Sequence, residues 1–250
     1  MNALAGAATA EWLKVRSLRS TWWFAGGALL MMLVVAALEA DGTARDLQAQ
    51  GGEPGSVEAA STAVTAVGWV HLVLGSFGML AMTSEYATRS IVVTLACTPS
   101  RTRLLLAKAA VVGAAVFAAG LLIAALGVAA SAPLLRDYGV FAPGQVAARI
   151  LAMGTDLALI AVLALGLGTL LRRSAGTLTV LFVLLLVMPQ VLQELASVLG
   201  AGFLETAADY TPAPAGDRLM TGEPAFGLVL AAWAAGAVVA GVWALRRRDA

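Results

Sequence analysis

Residues 109–130 read AAVVGAAVFAAGLLIAALGVAA, an apolar run without a single Asp, Glu, Lys or Arg. The hydrocarbon core of a bilayer, about 30 Å thick, is crossed by about 20 apolar residues in a helix, so this run is long enough to span. Its polarity does not alternate with a period of two, as a strand of a transmembrane barrel would require. Helix is then the form that satisfies its own backbone N–H and C=O groups in lipid. Five more windows behave alike, at roughly 22–38, 64–83, 150–171, 176–196 and 225–245. The first is short, but Trp22 and Trp23 suit an interfacial aromatic belt. The expected fold class is all-α and integral to the membrane, with six transmembrane helices in a single domain, 1–250.

Composition agrees. The apolar fraction is 60% and the charged fraction 12%, against about 45–50% and about 25% in soluble domains. Mean hydropathy is +0.87. A secretory signal is the rival reading of residues 1–40, with Val35-Ala36-Ala37 as a small-residue cleavage site. The apolar run there is long for a signal segment.

Charge fixes the orientation. Lys14, Arg16 and Arg19 precede the first window, and Arg89, Arg101, Arg103 and Lys108 join the second to the third. Arg172 and Arg173 join the fourth to the fifth, and Arg246, Arg247 and Arg248 follow the sixth. The acids in these four segments are Glu11, Glu85 and Asp249. The three intervening segments hold Arg45, Arg136, Arg149 and Arg218 against eleven acids. The alternation is unbroken, and the positive-inside rule places both termini in the cytosol (N-in, C-in). Outer loops then fall at 39–63 and 197–224. The first reads as a partly helical or mobile hairpin. The second carries Pro212 and Pro214, which interrupt helix.

Several chemistries are excluded. Cys97 and His71 are the only residues of their kinds, which is too few for a Cys/His metal cluster, so no metal site is expected. No phosphate-binding GxxxxGK[ST] loop, HExxH or GxSxG occurs. The chain is therefore not expected to act as an enzyme on its own, and energy for any work comes from a partner or an ion gradient.

Other features are local. Pro189 removes a backbone hydrogen bond from the fifth window and is expected to kink it. Glu11 to Arg19 mixes apolar and basic residues, fitting either a helix lying on the inner membrane surface or an extension of the first span. Gly26-Gly27 and Gly166-Leu167-Gly168 permit close helix contact. An inverted repeat of two three-helix halves is topologically possible, but no sequence self-similarity supports it.

The connection after the second window reads Thr83-Ser84-Glu85-Tyr86-Ala87-Thr88-Arg89-Ser90-Ile91-Val92-Val93-Thr94-Leu95, then Pro99-Ser100-Arg101 and Lys108. This resembles the permease subunits of ABC-2 type transporters, in particular the short six-span actinobacterial kind. Glu11 to Trp23, Arg172 to Gly176 and the stretch from Leu219 to Trp233 resemble the same family, in the right order along the whole chain. One departure is Arg89, where many relatives have Gly. The resemblance implies a bacterial cytoplasmic membrane location and the ABC-2 permease fold. It implies two copies of a separate ABC ATPase that binds ATP and Mg, and a second permease subunit, identical or homologous. No cofactor in this chain and no nucleic acid is implied. Segment 84–103 would then couple to the ATPase, through Ser84, Glu85, Tyr86, Arg89 and Arg101. Glu85 would pair with a base on the ATPase or within the permease. Alternatively, Glu85 caps a helix and Arg101, Arg103 and Lys108 are topology signals only. The cargo path would involve the second and fifth spans, with Trp69, Phe77, Met79, Gln190 and Gln193 as contacts for a hydrophobic or amphipathic export substrate. For each of these five the alternative is ordinary helix packing.

Two polar residues lie within spans. Asp156 follows Arg149 by seven residues, about 10 Å of helix, and a central Asp costs about 2.5–3.5 kcal/mol to insert. His71 reaches a similar depth from the same side. The two are expected to meet within the bundle, as a packing contact or a proton or substrate site; alternatively Asp156 turns back toward Arg149. A non-transporting membrane scaffold or immunity-type component, and an intramembrane enzyme built on this pair, are the competing functions.

Overall fold

The computed structural model describes residues 3–91 and 100–247. Ten helices appear among them. These are α1 (Ala3–Ser17), α2 (Arg19–Gln50), α3 (Ser61–Ala87), α4 (Arg101–Ser131), α5 (Pro143–Leu171), α6 (Ser174–Phe182), α7 (Met188–Leu199), α8 (Gly202–Asp209), α9 (Pro212–Met220) and α10 (Phe226–Arg247). A π-turn, Val183–Val187, joins α6 to α7, making one continuous membrane-length helix. Six helices are long and apolar enough to cross a membrane, which fits a multi-pass membrane protein. Below, the end carrying Lys14, Arg101, Arg172 and Arg246 is the basic end, and the opposite one the acidic end.

Helix α5 is central, packing on α3, α4 and α10. Small residues let the backbones touch. A Cβ on Gly78 would run into the carbonyl oxygen of Ala161, and one on Gly166 would lie 2.7 Å from the backbone nitrogen of Val238. Gly26, by contrast, has open space around it. In the apolar windows of α3 and α5 56% of the residues are buried, against 17% in α2 and 22% in α6–α7. These last two elements therefore present apolar surface outward, as lipid or a partner helix requires.

Local signals explain the ends. The Ser100 hydroxyl accepts from the N–H of Arg103 and starts α4. Pro143 and Pro212 begin α5 and α9, where a missing N–H costs nothing. Gly51 and Gly200 stop α2 and α7 in the left-handed conformation. Leu18, in extended backbone, breaks the chain between α1 and α2, so Glu11 to Arg19 is not an extension of the first span.

Beyond the windows, three segments carry more structure than hydropathy conveys. The helix of the first window, α2, runs on to Gln50, so 39–63 is partly helical. Its extension carries an Asp41–Arg45 ion pair and packs Ala40 and Ala44 against a 3-10 turn, Ala132–Tyr138. The fold is all-α as expected, with one short bridge in which β1 (Val57–Glu58) pairs in parallel with β2 (Gly139–Val140) at the acidic end. In 197–224 the prolines start α9 rather than exclude helix, which corrects the expected break there; between α8 and α9 only Tyr210-Thr211 interrupts. At Pro189 the missing donor is accommodated by the π-turn, in which the Met188 N–H reaches the Val183 carbonyl.

Substituting Gly78 or Gly166 with Val should lower stability by about 1–3 kcal/mol or more through overpacking, whereas Gly26→Val should stay within about 0.5 kcal/mol. Thermal midpoints in detergent measure this. Equal midpoints for G78V and G26V would contradict the close α3–α5 contact.

Candidate functional site

Four charged side chains meet at the basic end. Glu11 and Lys14 lie three residues apart on one face of α1. Glu85 sits in the last turn of α3, and Lys108 in the second turn of α4. The Lys108 ammonium donates to Glu11 Oε2 at 2.6 Å and to Glu85 Oε1 at 2.7 Å. The Lys14 ammonium donates to Glu11 Oε1 and Glu85 Oε1, both at 2.9 Å. Lys108 is 1% exposed, and Glu11 and Glu85 are 7% exposed each. A lysine so buried is tolerable only when paired, and here two carboxylates balance two ammoniums. Among the described residues Glu85 Oε2 accepts no hydrogen bond. Burial pulls the Lys14 pKa down, but the Glu85 and Glu11 carboxylates together outweigh it and hold the ammonium above its ordinary 10.5.

The knot ties α1 to the roots of the segment between α3 and α4. Further contacts brace those roots. The Arg172 guanidinium lies over the Tyr86 ring, 5.0 Å from its centroid. Arg101 Nη1 donates to the Leu245 carbonyl, and Arg246 Nη2 to Thr102 Oγ1 at 2.9 Å. Ser84 is exposed and donates to the Leu80 carbonyl. Arg89 is exposed at φ 58°, the left-handed region where glycine fits without strain. The expected coupling residues thus divide. Glu85, Tyr86 and Arg101 are engaged within the chain, whereas Ser84 and Arg89 face outward. Residues 92–99 of the expected coupling segment, with Thr94, Cys97 and Pro99, lie outside the described residues.

A second polar centre lies deep in the bundle. His71 Nε2 is 2.5 Å from Asp156 Oδ2, and the two side chains are 2% and 0% exposed. Asp156 does not turn back to Arg149, whose guanidinium binds Glu58 and the Met220 carbonyl. Helix α9 closes over the pair: a Cβ on Gly216 would strike Asp156 Oδ1, which has no hydrogen-bond partner among the described residues. Nearby Asp217 is raised above the ordinary carboxyl range by partial burial, with His71 pulling it down and Asp156 pushing it up.

The expected path residues do not share a cavity. Phe77 contacts Phe24, ring centroids 6.1 Å apart. Met79 is 5% exposed and fills the apolar core between α3, α5, α6 and α10. Trp69, Gln190 and Gln193 lie on the outer surface of the chain. No group of three or more His, Cys, Asp or Glu among the described residues can hold a metal ion. Comparison with protein-family models and with curated proteins finds no match to this chain.

Sequence reading did not anticipate Glu11, Lys14 and Lys108 as partners of Glu85 in one cluster. The available signal was residue choice: all basic residues other than Lys14 and Lys108 are arginine. Removing the ammonium in Lys108→Met leaves Lys14 alone to balance two buried carboxylates and should cost about 3–5 kcal/mol. Faster tryptic cleavage at Arg16 and Arg19 would report release of α1, and a partial rescue by E85M/K108M would tie the loss to charge. Wild-type cleavage rates in K108M would remove the knot as the anchor of α1. Because the Lys14 pKa is raised on folding, its contribution is complete below pH 10.5 and fades as pH climbs through the higher folded value. Release of α1 should therefore be flat from pH 6 to 9 and increase above about 10.5, a step that Lys14→Met abolishes.

Proposed function

We propose that the chain is the membrane-spanning permease subunit of an ABC-2 type transporter, exporting a hydrophobic or amphipathic compound with ATP hydrolysed by a separate subunit. The observation that carries this reading is the charge knot at the basic end. It fixes both roots of the segment after α3, the same segment whose Ser-Glu-Tyr, Pro-x-Arg and Lys pattern resembles that family. A segment held at both roots passes force on as a rigid body. In this reading the basic end faces the cytosol, in keeping with the positive-inside rule. Two ATPase copies dock beneath, and ATPase closure is felt at Ser84, Arg89 and the segment between them and Arg101.

The bent tip supports the same reading. Arg89 adopts the backbone conformation that a glycine would take there, and the residue is exposed. The cargo path runs between two such subunits rather than through one. Trp69, Gln190 and Gln193 lie on the outer surface, where a second permease copy would complete a passage. The apolar, weakly buried α2 and α6–α7 offer that copy its contact.

Purification in mild detergent should bring down an ATP-binding chain, and nanodiscs holding both should hydrolyse ATP in response to cargo. Arg89→Glu should cut ATP-dependent transport about ten-fold, the loss of one charge-assisted contact, with membrane insertion unchanged. An isolated permease with no bound ATPase, or R89E at wild-type transport, would sink the proposal and leave a membrane scaffold in its place.

A further inference from the structure

A cavity of about 640 Å3 lies beside the knot, between α1, α2, α3 and α4. This is within the usual size of a ligand site, about 300–1,000 Å3. One end is polar, lined by Glu11, Lys14, Glu85 and Lys108 of the knot together with Ser20, Ser84 and Ser90. The rest is apolar, walled by Val15, Leu18, Phe24, Phe77 and Leu80. A smaller space of about 40 Å3 continues it, sharing Thr21, Phe24 and Phe77 and reaching Leu74 and Ala119. From Ser84 to Leu74 is ten residues of α3, about 15 Å at helical rise. That is one leaflet of a hydrocarbon core about 30 Å thick. The slot thus has the dimensions and polarity of a single lipid tail standing in one leaflet, head at the basic end.

Charge selects the head. Glu11 and Glu85 are matched by Lys108 and Lys14. Lys14 spends two of its three N–H groups on them and is 44% exposed at its side chain. Arg16 and Arg19, two and five residues further along the chain, are exposed and uncompensated by any acid on α1 other than Glu11. The knot itself is neutral, and Arg16 and Arg19 flank Leu18, which lines the slot, so the chain beside the slot adds two positive charges. We propose that this slot binds an anionic phospholipid, one acyl chain running along α2 and α3 and the phosphate resting on Lys14, Arg16 and Arg19. Binding needs neither nucleotide nor a partner chain, so it stands or falls separately from the permease reading.

Native mass spectrometry of the full chain in detergent, titrated with phosphatidylglycerol, phosphatidylcholine or inorganic phosphate, tests this. Phosphatidylglycerol should be retained in preference to phosphatidylcholine, and phosphate alone should not be retained. In R16Q/R19Q phosphatidylglycerol affinity should fall about five-fold for each arginine, with phosphatidylcholine unchanged. Filling the slot in Ala81→Phe should abolish retention of both lipids. Should that variant fail to fold, phosphatidylglycerol carrying a diazirine at its tail end, irradiated with the wild-type protein, should label Phe24, Leu74 or Phe77. Equal retention of the two lipids, retention of phosphate alone, or labels spread evenly over the six spans would each overturn the proposal.

Discussion

In hydrocarbon no water stands ready to satisfy a backbone N–H or C=O, and the rest of this architecture follows from that constraint. Each crossing segment must be helical from one side to the other, and each irregularity must repair itself. Where Pro189 removes a donor, the preceding turn widens until another N–H reaches a carbonyl. The β1–β2 bridge and the short helices α8 and α9 gather at the acidic end.

With lipid as solvent, apolar burial between helices gives little, and association rests on close packing and on buried polar contacts. Helix α5 supplies the packing: Gly166 meets α10, and Ala161 receives Gly78 of α3. The polar contacts occupy two levels. The Glu11–Lys14–Glu85–Lys108 knot joins α1, α3 and α4 at one end, and His71–Asp156 joins α3 to α5 deeper in. In the knot, removing one charge alone costs more than removing a matched pair. Each level leaves one carboxylate oxygen, Glu85 Oε2 or Asp156 Oδ1, without a partner among the described residues. Neither centre has reached a closed hydrogen-bond arrangement within these residues.

Hydropathy made the six crossing helices legible, because apolar length alone decides them. It stopped short of Gln50, since charged residues such as Asp41 and Arg45 read as loop although they also pair along a helix. It misjudged Pro212, because proline forbids helix interiors but favours first turns. Depth counting brought His71 and Asp156 to one level, and their side chains lie 2.5 Å apart. The knot escaped such counting. Its partners are separated by 23, 71 and 97 residues, and Lys108 looked like a boundary charge although it is buried a full turn inside α4.

The widened turn at Val183–Val187 sets one residue more than usual into a helical turn. A residue advances a helix by about 100°, so the stripe that α6 shows its neighbours is rotated by about that amount relative to the stripe of α7. A single rod thereby acquires two differently aimed edges. Leu181 and Leu185 are swallowed by the body of the protein, while Val191, Leu195 and Val198 stand clear of it. Whatever adheres to the far half of this rod does so from a direction the near half cannot address.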